Sequence, residues 1–377
     1  MPSYILHIET GVPKFVYSQD FARERMKSWT QSPRDRRIIH HVYRQSGIAT
    51  RYSVCDDFAN SEGAQLFPSG EAGQLGNPGT QARNDVFIRE SRKLGVRVTA
   101  QALTACPEIP KKEITHVITA SCTGFGNPGL DYHLVTDLGL NPSVQRYHLG
   151  FMGCYAAFPA LRMAQQFCGA DPRAVILVLC LELCSLHLQV NGDDDSVLAN
   201  ALFSDGAACA VVHARPDLAG RSAYRLDRFS SALTGDGEKA MAWSVGDHGF
   251  HIVLSSYVPD ILGAHIAELV EPVLADAGMD RREIAFWAVH PGGKAILDKV
   301  EKALALPADA LAVSRTVLRQ YGNMSSATLL FVLKEFLSRS GRRTEAPTFA
   351  MAFGPGLTIE LGLLHAISAA PVGREAK

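Results

Sequence analysis

The chain carries one pattern twice at long range, and this repeat limits what it can fold into. An apolar, β-rich run at Thr115–Ala120 stops at Ser121–Thr123, and 32 positions after Cys122 the pair Gly153-Cys154 opens a helical pattern that runs from Cys154 to Phe167. A second run, Ile284–Val289, stops at His290-Pro291, and 33 positions after His290 the pair Gly322-Asn323 opens a helical pattern from Asn323 to Leu337. Each helical stretch is followed by two more strand-like runs, Ala174–Leu181 and Ala207–His213 in the first half, Thr348–Phe353 and Leu357–Leu364 in the second. Strands alternating with helices predict an α/β sheet system. Self-similarity at so long a period predicts a duplicated scaffold and not a solenoid. If the halves pack face to face, Cys154, His290 and Asn323 meet between them.

A scaffold of this kind needs a large apolar core, and 377 residues of which 47% are hydrophobic supply one. The charge balance is even, a net of -1, which gives no overall field for nucleic acid or for an anionic membrane. No stretch approaches the roughly 20 apolar residues of a membrane span, and Met1–Val16, with Glu9, Pro13 and Lys14, does not resemble a signal peptide. Eight cysteines in a chain this long do not make a disulfide scaffold, and the Cys180–Cys184 pair lacks partners for a metal site. A reducing, cytoplasmic setting is expected. Asp35–Gln45 and Thr80–Leu94 read as helices, the second with Thr80 as N-cap, and Asp56–Gly79 between them reads as a long loop.

Three residues carry chemistry. Cys154, in Gly150-Phe151-Met152-Gly153-Cys154-Tyr155, stands where a helix N-terminus would lower the pKa of a thiol. His290 ends a strand before Pro291-Gly292-Gly293, at the position where open α/β sheets present functional groups, and neutral imidazole can take a thiol proton. The Asn323 amide can donate to a thioester carbonyl that becomes an oxyanion, although as an N-cap it needs no catalytic role. The glycine-rich turn Phe353-Gly354-Pro355-Gly356 can bring backbone close to the same point.

The segments around Cys154, His290-Pro291-Gly292-Gly293, Gly322-Asn323-Met324-Ser325-Ser326 and Phe353-Gly354-Pro355-Gly356 resemble, in order and spacing, those of the chalcone/stilbene synthase superfamily, the type III polyketide synthases. The resemblance implies an α/β thiolase fold in five layers, αβαβα, with two pseudo-symmetric halves (1–219 and 220–377) and a homodimer. It implies Cys154 as the acyl-carrying nucleophile, and His290 and Asn323 as the groups that bind the thioester carbonyl and drive malonyl decarboxylation. Phe203 and Phe250 match gatekeeper phenylalanines, and Cys122, Cys184, His187, Met241 and Ser325 fall at pocket positions. Asn127 falls where plant members place a Met that reaches across the dimer. The positions that hold CoA phosphates in plant members carry Ile38, His41 and Gln45, with Arg36, Arg37 and Arg44 nearby. The implied substrates are an acyl-CoA starter and malonyl-CoA, with no metal or redox cofactor. The sequence around Cys154 is closer to microbial members, many of which release alkylpyrones or alkylresorcinols. A β-ketoacyl-ACP synthase III, an inactive acyl-CoA-binding relative and a Cys-dependent hydrolase remain the competing readings.

Overall fold

The computed structural model describes residues 1–59, 66–68, 75–235, 237–339 and 346–367. The first half of the chain builds β1 (Ser3–Gly11), the β2/β3 hairpin (Phe15–Ser18, Thr50–Ser53) around α1 (Gln19–Trp29) and α2 (Pro33–Gln45), then α3 (Thr80–Thr104). It continues through β4 (His116–Ser121), α4 (Leu130–Leu138), β5 (Gln145–Gly150), α5 (Ala157–Ala170), β6 (Val175–Leu183), α6 (Asp194–Leu202) and β7 (Asp205–His213). The second half builds β8 (Tyr224–Leu233), the β9/β10 hairpin (Met241–Gly246, Gly249–Leu254), α7 (Val258–Ala275) and β11 (Phe286–Val289). It closes with α8 (Lys294–Ala303), α9 (Ala312–Tyr321), α10 (Thr328–Arg339), β12 (Ala346–Gly354) and β13 (Thr358–Ala366).

Nine strands form one sheet in the order β11-β12-β13-β8-β1-β7-β6-β4-β5. From the β1/β8 seam outward, both halves follow one rule. β1 pairs antiparallel with β7, β7 antiparallel with β6, and β6 parallel with β4. β8 pairs antiparallel with β13, β13 antiparallel with β12, and β12 parallel with β11. The first half adds β5 beyond β4, in parallel. The duplication read from spacing is thus a duplication of topology: β4 corresponds to β11, and α5 to α10.

Side-chain alternation along the strands explains the layers. Ile176, Val178 and Cys180 of β6 join one core with Ala350 and Ala352 of β12, around α5 and α10. Leu177, Leu179 and Leu181 face the other way, into a core with Leu94, Val98 and Ala102 of α3. On the far side, Phe349 and Met351 of β12 pack with Leu262, Ile266 and Val270 of α7 and with Leu297 of α8. The two halves of the one sheet lie on either side of α5 and α10, so helix, half-sheet, helix, half-sheet and helix follow in order, the five-layered αβαβα arrangement. Every residue of β6 and β7 is buried, as strands covered on both faces require. Ala208, Ala210, Ala350 and Ala352 keep the strands slim where the middle helices approach.

Three expectations about local structure need correction. Gly79, not Thr80, caps α3; the Thr80 hydroxyl is taken up by Gly246 O and by the N–H of Gly249. The central helices begin later than the periodicity predicts, at Ala157 and Thr328. Cys154 lies in a turn closed by the Ala156 N–H to Gly153 O (3.1 Å), and Asn323 precedes a 3₁₀ turn at Ser325–Ala327. Of the expected loop 56–79, residues 60–65 and 69–74 lie outside the described residues. No helix among the described residues is long and apolar enough to cross a membrane.

Candidate active site

Cys154 and Asn323 stand at corresponding turns of the two halves, and His290 follows β11 as Cys122 follows β4. His290 follows the last residue of β11, and its N–H donates to Met351 O of β12 at 2.8 Å. Asn323 follows α9 at Gly322, whose φ of +72° and tight quarters favour glycine: an added Cβ would meet Leu202 O at 3.1 Å and Arg51 Cγ at 3.0 Å. Its backbone bridges to Phe203, with the Asn323 N–H to Leu202 O and the Ser204 N–H to Asn323 O both at 2.9 Å. Cys154 follows Gly153, at φ +83°, where a Cβ would stand 2.6 Å from Pro355 Cδ. The Gly-Cys turn and the Gly354-Pro355-Gly356 turn therefore pack backbone to ring.

These placements bring all three side chains to one cavity of about 350 Å³. Asn323 Nδ2 lies 4.0 Å from Cys154 Sγ and donates to Gly292 O at 3.2 Å. Its Oδ1 accepts the Ser325 N–H at 2.8 Å, so the amide is held by a turn and not used as a helix cap. Ser325 sits at φ +46°, a strained value for a residue with a Cβ. His290 is 1% exposed, and neither ring nitrogen has a hydrogen-bond partner among the described residues. Two bare polar atoms in a buried ring cost about 1–3 kcal/mol each, which an imidazole kept for a ligand would explain.

Burial dominates the electrostatics. Desolvation pushes the Cys154 thiol up to about 11, against weaker opposing hydrogen bonds from Ser325 and Asn323. Desolvation pushes the His290 imidazole down to about 3. The sequence expectation of a thiol lowered by a helix terminus is not met: α5 starts beyond Cys154, at Ala157, and burial shifts the thiol upward instead. Burial thus favours the neutral form of each group.

Of the other expected pocket residues, Phe203, Phe250, Cys122, Cys184, His187, Met241, Ser325 and Pro355 line the cavity. Gly354 and Gly356 do not; Gly354 instead gives Tyr155 room, since a Cβ there would meet its ring at 2.5 Å. Asn127 is also outside the cavity, exposed and followed by a cis bond to Pro128. His41 and Gln45 of α2 reach the cavity, while Ile38 packs against the first-half core. The eight cysteines are free, and the described residues contain no cluster that would hold a metal ion.

Sequence reasoning missed two supports of the site. Glu182, 0% exposed at the end of β6, accepts from Cys122 N (3.0 Å), Thr123 Oγ1 (2.9 Å) and Ser326 Oγ (2.6 Å). It ties the end of β4 to the turn after Asn323, and burial raises its pKa. A lone acid in the apolar run Val175–Leu183 was its signal. Arg83, also 0% exposed, donates to Leu186 O (2.5 Å), Leu188 O (3.0 Å), Pro78 O and Asn77 Oδ1 (2.9 Å each). On a helix carrying many charges, nothing distinguished it.

Comparison with known proteins agrees with this fold. Residues 2–216 match the N-terminal domain of chalcone and stilbene synthases, and residues 227–368 match the C-terminal domain. The C-terminal type III polyketide synthase domain of Steely1, a type I/III hybrid from Dictyostelium, is 26% identical, with a TM-score of 0.89 over 97% of this chain and 100% of that one. PKS-I from the brown alga Ectocarpus siliculosus is 27% identical, with a TM-score of 0.89 over 97% of this chain and 98% of that one. With both domains matched and the duplicated sheet in place, the chain belongs to the chalcone and stilbene synthase family and is a polyketide synthase of type III, a Claisen-condensing acyltransferase.

Proposed function

We propose that the chain loads an acyl-CoA starter on Cys154, extends it with malonyl-CoA in repeated decarboxylative condensations, and cyclises the product to an alkylpyrone or alkylresorcinol. The observation that carries this reading is the meeting of Cys154, Asn323 and an unpartnered His290 in one apolar cavity. Neutral imidazole has one bare nitrogen and one N–H, so His290 serves two steps. In loading, the bare nitrogen takes the Cys154 proton as sulfur attacks the starter thioester and CoA leaves. In extension, malonyl-CoA loses carbon dioxide, and the bonding pair stays on the α-carbon as an enolate. Its oxygen accepts hydrogen bonds from Asn323 Nδ2 and from the imidazole. The enolate carbon attacks the Cys154 thioester, the oxyanion collapses, and the thiolate leaves. The β-ketoacyl-CoA, longer by one malonate-derived unit, then returns its acyl group to Cys154.

Phe203 and Phe250, both on the cavity wall, disfavour a carboxylate and favour its loss. Leu198, Leu202, Met241, Ile252 and Val253 give the cavity an aliphatic lining, which supports an alkyl starter. Lys294, at the start of α8, with the exposed Arg37 and Arg44 of α2, supports a CoA phosphate position at the mouth. A homodimer is supported by the exposed Phe125 and Phe151 (46% each), with ring centroids 6.1 Å apart, beside Ile88 and the Asn127–Pro128 turn; a monomer in sedimentation equilibrium removes that part. Incubation with malonyl-CoA and a fatty acyl-CoA, without carrier protein, tests the activity. Pyrones or resorcinols built from several malonates are expected, and a product formed only with malonyl-ACP would sink the reading in favour of a β-ketoacyl-ACP synthase III.

A further inference from the structure

The β9/β10 hairpin stands apart from the nine-stranded sheet as a sheet of two strands only. Its pairing sets Met241 opposite Leu254, Trp243 opposite Ile252 and Val245 opposite Phe250, and these pairs share one side of the ribbon. Five of the six, all but Val245, line the catalytic cavity. A large part of the cavity wall is therefore carried by an element that is marginal in water by itself. Its position depends on what it is tied to.

The base is tied to the catalytic turns: the Gly356 N–H donates to Met241 O at 3.2 Å, and the Ser255 N–H donates to Ala240 O at 2.9 Å. Midway, the Phe250 N–H donates to His187 Nδ1 at 3.2 Å, and the Phe250 carbonyl accepts from Gln189 Nε2 at 3.1 Å. The tip, residues 246–249, rests on Thr80, the first residue of α3. A hydroxyl can donate and accept at once, and Thr80 Oγ1 does both: it donates to Gly246 O and accepts the Gly249 N–H at 2.8 Å. The Thr80 N–H, one of the donors that a helix start leaves without an internal partner, goes to Asp247 O at 2.8 Å. The hairpin thus satisfies the helix start, and the helix start holds the hairpin. Beside this contact, His248 Nδ1 donates to Asn77 O at 3.1 Å. The seat is firm, because the buried Arg83 in the same turn of α3 binds Pro78 O and Asn77 Oδ1.

We infer that Thr80 is a positioning residue: by pinning the hairpin tip, it fixes Trp243, Phe250 and Ile252 as the wall against which the extended chain folds before ring closure. Cys154, His290 and Asn323 come from turns of the main fold, and none of them stands on the hairpin. Loss of the pin spares the loading of Cys154, which needs only that end of the cavity. It disturbs ring closure, which needs the whole wall in place. This role rests on the proposed synthesis of cyclised polyketides from acyl-CoA starters. A Thr80 that served only the stability of the fold would lower every step in proportion.

The test compares wild type, Thr80→Val and Thr80→Ser, using a fatty acyl-CoA and malonyl-CoA. Mass spectrometry follows the acylation rate of Cys154 and the ratio of the final ring product to shorter lactones released early. Thr80→Val keeps the size and the backbone N–H but loses both hydroxyl bonds. It should leave the acylation rate unchanged and lower the product ratio about tenfold or more, since a displacement of about 1 Å far from the chemistry can cost about 10²-fold. Thr80→Ser restores the hydroxyl and should restore the ratio. Trp243 reads the wall directly: of the three tryptophans, Trp29 and Trp287 are buried and Trp243 is partly exposed. Acrylamide quenching of its fluorescence should rise in Thr80→Val and not in Thr80→Ser. If Thr80→Val is insoluble, His248→Ala, at the exposed tip, removes the bond to Asn77 and should move both readouts the same way. A soluble variant with an unchanged product ratio overturns the pin. An acylation rate that falls as far as ring formation makes Thr80 merely structural and overturns it too. A wild-type protein that condenses no starter removes the proposed function instead, and the quenching of Trp243 then decides alone whether Thr80 holds the hairpin.

Discussion

At the scale of single residues, Cys154 is half-buried on the cavity wall and His290 is fully buried. Desolvation pushes the thiol up to about 11 and the imidazole down to about 3, so burial favours the neutral form of each in the free protein. The rate of Cys154 alkylation by iodoacetamide should therefore climb about tenfold per pH unit above neutrality. A plateau reached below pH 8, followed by peptide mass mapping, would show a preformed thiolate–imidazolium pair. In the proposed mechanism Asn323 acts only on a developing oxyanion. Asn323→Ala should slow malonyl-CoA decarboxylation by about 10²–10³ and spare acylation of Cys154, while His290→Ala should impair both; separate assays of carbon dioxide release and of acyl-enzyme mass distinguish them. The placement of these three residues was legible in the sequence, because Cys154 and Asn323 stand at matching turns before α5 and α10, and His290 follows β11 as Cys122 follows β4. Their acid–base state was not, because burial is a property of the assembled layers.

At the scale of elements, the turn that carries Cys154 exists because Gly153 can take a left-handed φ directly against Pro355. Gly153→Ala adds a Cβ at 2.6 Å from that ring at φ +83°. A loss of about 1–3 kcal/mol in urea unfolding is expected, together with a fall in condensation greater than the loss of folded protein; unchanged activity would show that the turn tolerates a shift. The strand runs were readable to within a residue or two, since β6 and β12 are apolar on both faces and bounded by turns. The starts of α5 and α10 were not. Turn and 3₁₀ residues before each helix are apolar or small, so the helical pattern extends back through them and conceals where the helix begins. The hydrogen bonds around His187 were hidden for a different reason: Thr123, Phe250 and Arg83 are far apart in the chain, and each of the three bonds has a backbone group on one side.

At the scale of the whole molecule, several buried groups link folding to pH. His187 and His213 are lowered to about 4 and His290 to about 3, from an ordinary 6.5. A depressed histidine is bound more tightly as the neutral ring in the folded state, so its contribution is complete above pH 6.5 and fades as pH falls toward 4. Asp205, raised by burial to about 6, and the raised Glu182 work in the opposite sense, because the folded chain holds their protons more firmly than the unfolded one. A single substitution separates these effects. The Tm advantage of wild type over His187→Asn should shrink as pH is lowered from about 6.5 to about 4.5, and calorimetry that finds a constant gap would show that the ring is not neutral in the fold.

The seam where β1 meets β8, at Ser3–Ile5 against Tyr224–Leu226, has a consequence during synthesis. A ribosome that has released only the first half presents α5 and the alanine-lined face of β7 with no cover, because α10, β12 and β13 are still to come. Nascent chains halted near residue 219 should accordingly be aggregation-prone and bound by chaperones until the remaining strands emerge to complete the sandwich.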